Sequence, residues 1–518
     1  MAPTLCALLS LAAAAGTGKP PMLDLPEAGL VRAWERAAGQ NVLAAVNPNV
    51  FPGYWSVCAD GQGFGYGNTY PSLDGHQMTD ALLWLGQADT VKANWDYVRS
   101  FQRPNGQLPL AILPGLAGKN IGNNTPVDPN GGLYRHWVPG DPLRALAGPT
   151  YIQNADVIFR FTQDHEWLAA QLPSVNLAAD HLATLMAADG AVGGAGYYVE
   201  RPTRVEYDGV AQCHAADAFQ RVAALNRVAG KPDVAGRYDD LAARITACFR
   251  TRFWAKDRFA EYIHPTRGPI TSHGLTDTDW AALALGLASP GQAVILWPQL
   301  KDEKRFDYGG MPAGIATRPE AYEPWEFTHP DRQDLAAMGR VWYLECQARA
   351  RMGDADGLLA SIRKVCAEGE RHGYYWRERY GAQGGFGAEK YCEYPANLIR
   401  TVQRFLLGVE HRLDGALVLA PTVPDSFWAA GFGQTLAFRG RTLAYRMTRE
   451  GVTGEYRGEG PQRLLLRLHP AARGTPVQCT IGGRPAAAAV EGELATLTLP
   501  PAPAGQPCRF AALRAAIP

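Results

Sequence analysis

The sequence has no surplus of charge of either sign: 50 Lys and Arg stand against 50 Asp and Glu. A chain with that balance lacks the basic face that nucleic acid or an anionic membrane surface requires, so a neutral ligand is the better expectation. Beyond the first residues no apolar run approaches the eighteen or so of a membrane span, and the mature chain is expected to be soluble. Nine cysteines form no CxxC pair and no metal-ligand spacing, and HExxH is missing, so no metal site is expected. No strand-like run precedes a glycine cluster, which removes the dinucleotide-binding reading and leaves no cofactor to expect. A repeat of fixed period is also lacking, and oligomeric state is not encoded in any pattern.

Apolar and aromatic mass, in contrast, is plentiful. With 518 residues, 47% of them hydrophobic, the chain exceeds one ordinary core and predicts a large domain with a smaller one. Its 13 Trp and 21 Tyr leave aromatics over to line a groove. The opening LCALLSLAAAAG (5–16) has the length and small-residue end of a secretory h-region but no basic n-region. Residues 1–22 are read as a candidate leader: if it is a signal, the protein is periplasmic or secreted, and otherwise cytoplasmic. Cys248, Cys346 and Cys366 fall in amphipathic patterns as buried thiols, whereas Cys479 and Cys508 are placed for a disulfide.

From about residue 26 to 411 apolar residues recur at spacings of three and four, the signature of helices. Val91, Trp95 and Val98 mark one; Tyr238, Leu241, Ile245 and Phe249 a second; Leu335, Met338 and Trp342 a third; Ile399, Val402, Leu406 and Val409 a fourth. About twelve helices are predicted. Their links alternate between short ones, such as 86–89, 229–232 and 352–354, and loops of twenty residues or more. Long loops inside a compact domain usually carry function, so a ring of helical hairpins with long loops at one end, walling a pocket, is expected. After residue 412 the pattern turns to alternation with frequent Pro and Gly, predicting antiparallel strands. The division read from the sequence is 23–412 for the helical domain and 413–518 for a C-terminal β-sandwich.

Three segments carry a resemblance. PSLDGHQMTDALLWLG (71–86), RPNGQLPL (103–110) and GVEHRLDGALVLAPTVPDSFWAAGFGQTLAFRG (408–440) are similar to segments of the (α/α)6-barrel, six-hairpin glycosidase clan. That clan includes glucoamylases, trehalases, glycosylglycerate hydrolases and α-L-rhamnosidases, together with sugar phosphorylases. The resemblance implies an (α/α)6 toroid, a sugar-holding aspartate at Asp74, a general acid on the loop after the fifth helix and a general base on the loop before the twelfth.

Inverting glycoside hydrolysis needs one protonated carboxyl for the leaving oxygen and one carboxylate for the water, roughly 6.5–9.5 Å apart. By the helix count the two loops are 189–209 and 373–393. The first offers Glu200, Glu206 and Asp208; the second offers Glu389 and Glu393 on a glycine-rich run. Asp208 is favoured as acid and Glu389 as base, with Glu206 and Glu393 as runners-up. Each acid has a plainer reading: Asp208 as the N-cap of the helix that follows, Glu393 as a first-turn acid on a helix dipole. For sugar binding the candidates are Asp74, His76, Tyr54, Trp55, Trp325, Glu326 and Tyr394, although any single aromatic here could equally fill core.

These readings add up to an exo-acting, inverting glycoside hydrolase with a carbohydrate partner. The rivals are a phosphorylase of the same fold, which would need an anion site and no base, an (α/α)6 sugar lyase or epimerase, and a non-catalytic glycan-binding protein. Sugar, linkage and anomer are not written in the sequence.

Overall fold

A computed structural model of the protein describes residues 19–49, 51–60, 73–108, 144–193, 207–326, 335–470, 477–491, 493–502 and 506–514. Among these, twelve α-helices precede residue 402: α1 (Ala28–Arg36), α2 (Leu73–Trp84), α3 (Ala88–Arg99), α4 (Arg144–Thr162), α5 (His165–Ala183), α6 (Gly209–Val228), α7 (Pro232–Cys248), α8 (Asp277–Ala284), α9 (Pro290–Leu300), α10 (Gly339–Arg351), α11 (Ala355–Arg371) and α12 (Glu393–Thr401). Local chemistry sets several of their starts. Ser289 caps α9 and Gln292 returns the bond to the cap, with Pro290 in the first turn; Thr276 and Asp279 do the same for α8. The short links end on glycines in the left-handed region, Gly86 at φ 78° and Gly353 at φ 73°, which a side chain would strain.

Packing sorts the helices into two rings. The helices α2, α4, α6, α8, α10 and α12 each pack on the next, and α12 closes back on α2. The other six lie outside them, α5 on α4, α7 on α6 and α11 on α10 among them. Burial follows from that position. All nine residues of α12 and all eight of α8 are buried, whereas α7 buries one stripe, Ala235, Tyr238, Ala242, Ile245 and Cys248. Each large side chain in such a stripe contributes roughly 1.5–3 kcal/mol. This is the (α/α)6 toroid.

The loops ahead of the inner helices meet one another. Isolated β-bridges join Asp208 to Tyr262, Thr276 to Ala316, Gly314 to Ala337, Ala337 to Tyr380, and Tyr391 to Cys58. These bridges link the loops before α6, α8, α10, α12 and α2 in turn, so five inner helices start at the same rim. The short links lie at the other end.

Beyond α12 a π-helical turn (Val402–Leu406) leads into strands. A seven-stranded sheet and a five-stranded sheet follow. Leu443 and Val452 of the first share a core with Leu464 and Leu497 of the second. Pairing is antiparallel as expected except between Leu464–Leu466 and Leu417–Leu419, which run parallel. Two details cross the expected divisions. Met22–Asp24 forms the edge of the seven-stranded sheet against Phe432–Phe438, and residue 412 lies in the hairpin joining Val409–His411 to Leu417–Leu419.

Two expectations are corrected. Leu335 and Met338 precede α10, because Met338 is its N-cap with extended backbone; Val409 likewise belongs to a strand, beyond α12. Cys479 and Cys508 are free thiols. In the sheet Cys479 stands opposite Ala512, four residues along the strand from Cys508, a spacing of about 13 Å at 3.3 Å per residue, beyond the roughly 7 Å limit for Cα atoms of a disulfide.

Candidate active site

Side chains with chemistry gather at the rim where the inner helices begin. Asp74 is the second residue of α2, Arg340 the second of α10 and Glu393 the first of α12. Arg340 donates to both carboxylate oxygens of Glu393, Nε to Oε1 at 3.1 Å and Nη2 to Oε2 at 3.0 Å, and its backbone N–H also reaches Oε1. Tyr391 donates its hydroxyl to Asp74 Oδ1 at 3.1 Å. Gly339 allows this closeness, since a Cβ there would stand 2.9 Å from Glu393 Cγ and 3.0 Å from the Tyr394 nitrogen. Burial pushes the Asp74 carboxyl up to about 6; Glu393 and Glu378 nearby push the same way, while Arg340 and the Tyr391 hydroxyl oppose them.

Glu378 belongs to the same neighbourhood. It precedes the hairpin of Arg379–Gly381 and Gly384–Phe386 in the loop before α12, and it is buried. Its Oε1 pairs with Arg379 Nη1 at 2.6 Å and its Oε2 accepts the Ala388 N–H at 3.1 Å. The charge acts on Asp74, Tyr391 and Cys58.

Across the rim, Asp208 is fully buried and caps α6, accepting the Ala211 N–H at 2.7 Å. Next to it lies a buried network. Imidazole His273 bonds to Glu261 through Nδ1 and to Glu326 through Nε2 at 3.1 Å, and stacks on Tyr322 with centroids 3.5 Å apart. Tyr322 donates to Glu261 at 2.9 Å and Tyr262 to Glu326. Burial would raise the Glu326 carboxyl, but bonds from His273, Tyr262 and the Glu323 N–H outweigh it and hold the group down to about 2. A Cβ on Gly209 would meet the Thr278 side chain at 2.4 Å, so the start of α6 is fitted tightly against α8.

The sequence candidates therefore separate. Asp74 and Glu393 share the Arg340 cluster, and Asp208 and Glu326 line the other arc of the rim. Glu389 bonds to neither group among the described residues: its side chain is 68% exposed and pairs with Arg377 at 2.7 Å. Tyr54, Trp55 and Tyr394 are buried. The Tyr394 hydroxyl has no hydrogen-bond partner among the described residues. Trp325 is half-buried, with Arg267 stacked 4.1 Å from its ring centroid. His76 faces inward, its Nδ1 2.6 Å from Asn154 Oδ1. Glu206 and Glu200 lie outside the described residues. Arg340, Tyr391, Glu378, Glu261 and His273 escape sequence reasoning. Glu378 and Tyr391 had a signal, since both fall inside the 373–393 loop. Among the described residues no group of three or more His, Cys, Asp or Glu is placed to hold a metal ion, and no helix is long and apolar enough to cross a membrane.

No family model and no curated protein matches this sequence. Solved structures do. A GH78-family rhamnosidase of Bacillus sp. GL1 superposes with a TM-score of 0.61 at 12% identity, over 83% of this chain and 40% of its own. An α-L-rhamnosidase from Dictyoglumus thermophilum gives 0.61 at 12% identity, over 96% and 51%. The chain has the six-hairpin glycosidase fold. A GH63 mannosylglycerate hydrolase from Thermus thermophilus shares it, with a TM-score of 0.50 at 13% identity over 70% of this chain and 99% of its own. The chain spans about half the length of the rhamnosidases or less. Within this six-hairpin fold the gathered carboxylates occupy the rim at which the inner helices start.

Proposed function

We propose that the protein is an exo-acting, inverting glycoside hydrolase that releases a terminal sugar from an oligosaccharide or small glycoside. One observation carries the reading: Asp208 and Glu378, buried in the loops before α6 and α12, and the half-buried Asp74 in the first turn of α2 stand at a single rim of a fold shared with glycosidases. Asp74, with its hydroxyl partner Tyr391, is assigned to hold the terminal sugar. Asp208 is assigned as general acid, with Glu206 as its rival. For the base we move from Glu389 to Glu378. A base must be held rigidly and away from competing bulk water, and Glu378 is buried beside Asp74, whereas Glu389 is a solvated surface pair. Glu393 is assigned a structural role, because Arg340 grips it with two guanidinium nitrogens and a backbone N–H, whereas each Glu378 oxygen meets a single donor among the described residues.

The test is an NMR time course on a panel of α- and β-linked disaccharides and small glycosides, with and without inorganic phosphate. Release of sugar with inverted anomeric configuration, independent of phosphate, supports the proposal; a sugar 1-phosphate formed only with phosphate would make the protein a phosphorylase. Asp208→Asn and Glu206→Gln, compared on a substrate with a good leaving group, identify the acid: the variant whose defect such a substrate relieves has lost the proton donor.

A further inference from the structure

The bore of the toroid holds a polar cavity of 370 Å³ that Asp74, Asp208, Glu378, Glu389 and Glu326 do not line. Its floor is made of Gln77, Asn397 and Asp80, all buried. Its wall continues along the inner helices to Arg160 near the end of α4, Ala224 near the end of α6 and Leu285 just past α8, and Glu410 stands at the edge with a 54% exposed side chain. The cavity therefore opens at the end where the inner helices finish, opposite the candidate active site. Its volume is that of a small-ligand pocket.

The charges of the wall are arranged in pairs. Asp80 takes Arg400 and Arg404, and Asp156 and Asp217 take Arg221, with Asp156 also holding Arg160. Those pairings leave donors unspent. Among the described residues Arg221 bonds through Nε and Nη1 only, and Arg404 through Nε and Nη2 only. At the floor the Gln77 amide accepts from Asn397 through Oε1, but its Nε2 is buried with no partner among the described residues. The histidines add no charge: burial, with Arg400 beside it, pushes His76 down to about 3, and burial pushes His214 to about 3 as well.

We propose that this mouth of the bore is a binding site for a small oxyanion, a carboxylate or a phosphate, seated against the guanidinium edges of Arg221 and Arg404 that those pairings leave over. Guanidinium N–H groups lining one cavity match oxyanion lone pairs, and the site does not depend on the glycosidase reading. Occupancy would reach the other rim through Arg340, which lines the cavity and also holds Glu393.

Isothermal titration of the full chain at fixed ionic strength in sodium chloride, with inorganic phosphate and separately with succinate, tests this. The expected result is a saturating one-site isotherm with at least one of the two, and the anion that saturates tells which source the site takes. Ala224→Phe plugs the mouth without touching an ion pair and should weaken binding at least tenfold. Glu378→Gln, at the far rim, should bind as the parent does. No saturating heat with either anion would overturn the proposal, as would full binding by a folded Ala224→Phe. A several-fold gain of affinity in Glu378→Gln, from removal of a repelling charge, would place the anion at the other rim and overturn it too.

Discussion

Arg340 holds Glu393 from the neighbouring inner helix, with guanidinium nitrogens 3.1 and 3.0 Å from the two carboxylate oxygens and its own backbone N–H on the first of them. Both side chains are out of solvent, at 10% and 0% exposure. The pair therefore pins α10 to α12 directly under the rim, and it explains why Gly339 has no room for a side chain.

Breaking such a pair from one side leaves an uncompensated buried charge, which costs about 3–5 kcal/mol. Arg340→Met and Glu393→Leu should each lower the unfolding free energy by an amount in that range, while the double variant recovers most of the loss because no charge is then stranded. Chemical denaturation followed by circular dichroism measures it. Losses that simply add would show that the two side chains do not act as a unit.

Glu378 and Glu389 share a loop but differ in environment, and activity separates them. Removing a general base costs on the order of 100- to 10,000-fold in rate, so Glu378→Gln should lose that much in kcat on whichever glycoside proves to be the substrate. Glu389→Gln removes an exposed pair with Arg377, worth about 0–1 kcal/mol, and should stay within a few-fold of the parent. The reverse order would return the base to Glu389. A large drop in the unfolding midpoint of Glu378→Gln would instead make its pairing with Arg379 structural.

Much of the architecture was legible in the sequence, because helical periodicity and the alternation of short and long links are local properties. The loops between α5 and α6 and between α11 and α12 fall where counting helices puts them. The site was less legible. The cluster of Arg340, Glu393, Asp74 and Tyr391 draws on α10, α12, α2 and a loop, and its members are separated by up to 319 positions from Asp74 to Glu393. No sequence spacing marks a contact made by ring closure. Tyr54 and Trp55 show the opposite failure: aromatics look alike in a sequence whether they face a ligand or a core, and here the core took them. His273 and Glu261 stand in a short hairpin region with nothing to set them apart until Glu326 arrives from another loop.

Asp74 makes the pH dependence testable. Its carboxyl sits at about 6 in the folded protein against 3.8 for the free group, so the fold favours the protonated form. The sign follows: the favourable contribution is complete below 3.8 and is lost as pH rises through 6. At higher pH the fold carries a cost of up to about 3 kcal/mol for keeping the carboxylate buried, since each tenfold change in a proton-binding constant is worth about 1.4 kcal/mol. Asp74→Asn keeps an acceptor for the Tyr391 hydroxyl and cannot ionise. It should therefore be more stable than the parent at about pH 8, with the gap closing as pH falls to about 4. Denaturation midpoints of both proteins across that range decide the matter, and a gap that does not change with pH would mean that Asp74 ionises in the fold as freely as it does unfolded. The expected gain in alkaline solution comes with weaker substrate binding, since the charge that burdens the fold is the one assigned to the sugar's hydroxyl groups.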